Sequence, residues 1–109
     1  MDFKSLQKMV YETNKNNGWH DNEVEKTDSE YLLNINCEVA EAWESKRNKE
    51  PEIWTRENGK PEGMWTELGD VIMRIVDFAE VSNIDLEDII VRKNEYNKSR
   101  GYRHGGKRY

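Results

Sequence analysis

The sequence predicts an all-α fold, and three observations carry that expectation. Apolar residues recur at three- and four-residue spacings in four separate stretches, the periodicity of helices with one buried side. No stretch alternates apolar and polar residues as a half-buried strand would. Both prolines and two of the seven glycines gather in one segment, KEPEIWTRENGKPEG at 49–63, which reads as a loop.

Taken in order, a first helix is expected over about residues 2–15, with Phe3, Leu6, Met9 and Val10 on one side. Asn16-Asn17-Gly18 ends it, because asparagine and glycine tolerate the turn that stops a helix. A loop carrying Trp19 and His20 follows. Thr27 and Glu30 then form a capping-box pattern, in which hydroxyl and carboxylate each satisfy a free backbone N–H of the other residue. The second helix is predicted over about 29–48, with a stripe of Leu32, Ile35, Val39, Ala42 and Trp43. A third runs from about 64 to 82 through Leu68, Val71, Ile72, Ile75, Val76 and Ala79. Asp85 caps a fourth, about 86–99, with Leu86, Ile89 and Ile90 facing inward. Four amphipathic helices imply a four-helix bundle formed as one domain over 1–109.

The core of such a bundle is thin. Apolar residues make up 35% of the 109 and charged residues 36%, so a partner subunit is expected to complete it. Four Trp, five Tyr and two Phe supply large packing area and argue against disorder. No run approaches the roughly 20 apolar residues that span a bilayer, and MDFKSLQKMVYETNK lacks the apolar stretch of a signal peptide. No membrane partner is therefore expected. Cys37 is single, which excludes an internal disulfide, and with only His20 and His104 elsewhere a zinc site is unexpected. It reads as a reduced, half-buried small residue of a cytoplasmic protein. The net charge of −5 is unevenly spread. Arg100, Arg103, Lys107 and Arg108 concentrate four positive charges in the last ten residues, leaving −9 on the first 99. An acidic body disfavours broad nucleic-acid binding and suits a protein that gathers cations.

Acids three residues apart share a helix face. Glu38-Val-Ala-Glu41 and Glu67-Leu-Gly-Asp70 present two such pairs on the second and third helices. If these helices pack together, four carboxylates converge, an oxygen set suited to Mg²⁺. Spacing alone leaves the alternative open, since the chain has six such pairs and most acids at this spacing sit on solvated faces. On the fourth helix Lys93, Asn97 and Arg100 continue the line of Leu86, Ile89 and Ile90, so its inward side turns from apolar to basic. Buried charges need partners, and phosphate is one, though snorkelling to surface acids is another outcome. Phosphate loops, dinucleotide fingerprints, nucleophile elbows and HExxH motifs are missing, and no Ser or Cys nucleophile sits beside a base. A metal-activated water is the attacker that remains.

These motifs resemble the all-α nucleoside triphosphate pyrophosphatases, the group of MazG, the dimeric dUTPases and the dCTP pyrophosphatases. ExxE, 25 residues and ExxD stand in that family's order. CEVAEAWES is similar to the first half of its signature and GMWTELGDVIMRIVDFA to the second. KNEYNKSRGYRHGGKRY resembles the end of short MazG-like proteins often encoded by phages, which would place the chain in a host cytoplasm. The resemblance implies cleavage of a nucleotide between its α and β phosphates, releasing monophosphate and pyrophosphate, with deoxynucleoside triphosphates favoured. It implies Mg²⁺, or Mn²⁺ in its stead, held by Glu38, Glu41, Glu67 and Asp70, and a homodimer or homotetramer. Lys93, Asn97 and Arg100 fall where the family contacts phosphate and sugar, and Trp19-His20 resembles a pair that helps hold the base. Arg74 is a departure, since dCTP pyrophosphatases usually carry Tyr there; it could bind phosphate or neutralise the neighbouring acids. Trp43 is expected in the core, while Trp54 and Trp65 could stack on a base. Met9, Met64 and Met73 read as packing. Gly101, Gly105 and Gly106 would let the tail turn Arg103, His104 and Lys107 toward a triphosphate. The alternative is a non-catalytic helical module that binds nucleic acid or a protein through this tail.

Overall fold

The computed structural model describes residues 1–21 and 25–109 and is all-α apart from one small hairpin. Helix α1 spans Phe3–Asn16, where the Asp2 carboxylate accepts the Ser5 N–H at 2.8 Å. Helix α2 spans Asp28–Arg47 and begins with the expected capping box of Thr27 and Glu30. Helix α3 spans Met64–Val81, and α4 spans Leu86–Ser99 behind the Asp85 cap. The last turn, α5 at Arg103–Gly106, is interrupted by left-handed backbone at His104 and Gly105.

The segment expected to be a plain loop instead carries a two-residue ladder. Strand β1, Trp54–Thr55, pairs antiparallel with β2, Pro61–Glu62, in the register Trp54 to Glu62 and Thr55 to Pro61. Gly59 turns the chain with φ 88°, and Glu62 folds into the hairpin between Arg56 Nε at 2.8 Å and Lys60 Nζ at 3.2 Å. Those two cations hold the Glu62 carboxyl below its usual range, the Lys60 bond being the larger cause. The pattern of alternation that reveals a strand needs several residues, so two-residue strands leave no trace in it.

Helix α3 is the spine, packed on one side by α2 and on the other by α1. The buried apolar side chains among the described residues are Val76 and Ala79 of α3, Val10 of α1, and Tyr31 and Ala42 of α2. Tyr31 stacks on Phe78 with ring centroids 4.5 Å apart and planes 4° from parallel. Gln7 is buried as well and satisfied, its amide donating to Glu80 Oε1 and to the Ile84 carbonyl.

The buried side of α2 differs from the expected one. The line that faces α3 is Tyr31, Glu38, Ala42 and Ser45. Leu32, Val39 and Trp43 of the apolar stripe turn outward, Trp43 with 62% of its surface exposed. Ala42 and Ser45 are small and let two helices approach, whereas Leu32, Val39 and Trp43 stay largely exposed among the described residues. A similar correction applies to α4. It has no buried residue, it touches α1 over a short contact, and Ile89 and Ile90 are each 49% exposed rather than inward. Ile72, Met9 and Met73 are also more exposed than core residues, and Cys37 is exposed rather than half-buried. No helix among the described residues is long and apolar enough to cross a membrane.

Candidate functional site

The α2–α3 contact brings the two carboxylate pairs together. Glu38 faces α3 from the buried line of α2, while Glu67 and Asp70 lie on adjoining turns of α3. One oxygen from each of Glu38, Glu67 and Asp70 lies within 4.8 Å of the others. Glu41, one turn beyond Glu38, stands outside that group of three but within hydrogen-bonding reach of Glu38 and Glu67. All four expected acids are thus neighbours.

Crowding shows in their proton affinities. Burial, followed by the charges of Asp70 and Glu41, pushes the Glu67 carboxyl up to about 7. Asp70 is raised first by burial and then by the charge of Glu38. Glu41 is raised first by its hydrogen bond to Glu38, then by burial. The nearest opposing charge is Arg74, whose Nε donates to Glu38 Oε1 at 2.7 Å. One guanidinium cannot balance four carboxylates, and a hard divalent cation is the group that would. The donor set fits Mg²⁺. It is all oxygen, and two ligand oxygens on one such ion stand at most about 4.2 Å apart, so 4.8 Å needs only small side-chain movement.

A cavity of about 460 Å³ opens beside the acids. Glu38, Asp70, Arg74 and Asp77 form its charged side. Opposite chemistry comes from Trp19, Tyr31 and Met73, with the amides of Asn14 and Asn34 and the ammonium of Lys26 among them. Lys26 lies over the rings of Trp19 and Tyr31, 5.5 and 5.1 Å from their centroids. His20 is placed behind this wall. Its Nε2–H donates to Asp77 Oδ1 at 2.8 Å, and its ring stacks on Tyr11 at 5.0 Å. That buried pair pins the Trp19-His20 turn to α3.

The structure therefore gathers Glu38, Glu41, Glu67, Asp70, Arg74, Trp19 and His20 at one place. It does not bring Lys93, Asn97, Arg100 or Arg103 there. Lys93 and Arg100 are exposed and lie beside Tyr96, Arg103 lies beside Tyr102, and none of the four lines the cavity. The reason is the shallow docking of α4, whose line of Leu86, Ile89 and Ile90 is not drawn into the core. Trp54 and Trp65 do not line the cavity either, and Trp65 spends its indole N–H on Glu52.

Asn14, Lys26, Tyr31 and Asn34 join the site without having been singled out in the sequence. Helix spacing held part of the signal: Tyr31, Asn34 and Glu38 stand at i, i+3 and i+7 on α2. No family model matches the chain, and no curated protein or solved structure matches it either.

Proposed function

We propose that this chain is a Mg²⁺-dependent nucleoside triphosphate pyrophosphohydrolase of the MazG-like kind, cleaving a nucleotide between its α and β phosphates. One observation carries the proposal: three carboxylate oxygens from two packed helices converge within 4.8 Å beside a cavity walled by aromatic rings, amides and cations. Bound there, Mg²⁺ would neutralise phosphate charge and lower the pKa of an attacking water. Glu38, Glu67 and Asp70 would hold it, with Glu41 completing the acidic set. Arg74 and Lys26 are the cations in reach of a polyphosphate. Trp19 and Tyr31 offer flat apolar faces to a base, and Asn14 and Asn34 offer amides to its edge. The His20–Asp77 pair holds the Trp19 turn in place rather than reacting. Exposed apolar residues on α2 and α4 support assembly into a homodimer or homotetramer.

A pyrophosphate-release screen over the common NTPs and dNTPs with Mg²⁺ tests the function. Release from at least one nucleotide is expected, and its loss in Glu38→Gln and Asp70→Asn with helicity retained by circular dichroism. A chain that releases no pyrophosphate from any of them, or both variants at full activity, would overturn it.

A further inference from the structure

Arg74 stands one turn from Asp70 and one turn from Asp77 on α3, and all three line the cavity. Its bond to Glu38 joins two unequal partners. The Glu38 side chain keeps 11% of its surface exposed and that of Arg74 keeps 42%. The carboxylate is fixed in the α2–α3 contact, while the guanidinium sits on a long stem at the cavity wall and can leave at modest cost. The bond uses Nε–H. A guanidinium carries five N–H donors in a planar fork, so its terminal nitrogens remain for a second acceptor, and phosphate fits that fork. Glu38 is also one of the three oxygens grouped for a cation. A bare divalent ion arriving at Glu38 meets a positive charge already there.

Resting on the metal-dependent function proposed above, the geometry points to Arg74 as the resident counter-ion of the acid cluster and the link between cation and substrate. It opposes a bare divalent cation at Glu38. When the cation comes with a polyphosphate, the guanidinium turns its terminal N–H groups to the phosphate and the opposition becomes attraction. The site is thereby tuned to take the cation–triphosphate complex in preference to the free ion.

Binding without turnover tests this by calorimetry, with MnCl₂ alone and with a premixed Mn²⁺–tripolyphosphate complex, a probe that carries no base. Arg74→Gln should bind bare Mn²⁺ about tenfold more tightly than wild type and the complex about tenfold more weakly, the size of one charge-assisted contact. Arg74→Lys keeps the charge without the fork, so it should hold bare Mn²⁺ close to the wild-type affinity while losing affinity for the complex. Melting curves of each variant confirm the fold. Arg74→Gln that binds bare Mn²⁺ no more tightly than wild type, or binds the complex equally well, would refute the role of Arg74 alone. If neither wild type nor Arg74→Gln takes Mn²⁺ in either form, the metal-dependent function falls and the role of Arg74 with it.

Discussion

At the scale of single residues the acid cluster sets stability against the proposed metal binding. Glu67 is the clearest case, its carboxyl pushed up to about 7 by burial and by neighbouring acids, against 4.5 for a free side chain. A raised carboxyl favours the protonated form in the folded state. Its contribution to stability is therefore full below pH 4.5 and is lost as the pH rises through about 7. Glu41 and Asp70 are raised too and act in the same direction. The metal-free protein should accordingly lose melting temperature between pH 5 and 8, and millimolar Mg²⁺ should restore it most at the alkaline end. Glu67→Gln removes the disfavoured charge. It should flatten that pH dependence, raise the metal-free Tm at pH 8 and weaken the response to Mg²⁺. Scanning calorimetry at several pH values checks this, and a Tm that rises with pH in the metal-free wild type would contradict it.

At the scale of elements, the start of α3 decides where Glu67 and Asp70 stand. Gly63 precedes the helix with φ 107° and ψ 165°, a backbone region open to glycine almost alone. A Cβ there would also run into the carbonyl of Glu52. The Trp65 N–H bonds to that same carbonyl at 3.3 Å, tying the hairpin segment to the first turn of α3. Gly63→Ala should cost about 2 kcal/mol or more, read as a lowered urea midpoint, and should also weaken divalent-cation binding because Glu67 is one turn away. The start of α2 is a milder case. Thr27→Ala removes the capping box and should cost about 1 kcal/mol without moving Glu38, which lies about three turns further on.

At the scale of the whole molecule, the chain is larger than its length suggests. Its radius of gyration is 16.7 Å, whereas a compact domain of this length has about 13 Å. Among the described residues, Val76 is the one large side chain that is almost fully enclosed. Leu32, Val39 and Trp43 form an outward line on α2, and Ile89 and Ile90 lie exposed on α4. A second copy of the chain is the occupant that the proposed homo-oligomer supplies, since a closed two-fold pair lets the same apolar line cover itself. Light scattering should give at least twice the 13.0 kDa chain mass at micromolar concentration. Trp43→Glu should shift it toward monomer while leaving the inner α2–α3 contact intact. A wild-type protein that scatters as a monomer would remove this proposal.

What the sequence determined by itself was local. Caps at Thr27 and Asp85 and helical periodicity placed four helices within about two residues of their ends, because both signals act within a turn or two of chain. The ExxE and ExxD pairs could be read as sharing a helix face because i and i+3 do so on any helix. It was the family resemblance, not that spacing, that singled them out as candidate ligands among six such pairs. Only tertiary structure decided which face of α2 meets α3, since a stripe shows that one side of a helix prefers cover without saying what covers it. It put Glu38 inside and Trp43 outside, and it left Lys93, Asn97 and Arg100 on a helix too lightly docked to reach the acids. It also joined His20 to Asp77 and Arg74 to Glu38 across 57 and 36 residues of chain. Pairings that distant depend on how helices pack, and the periodicity of one helix carries no record of the side chains on another.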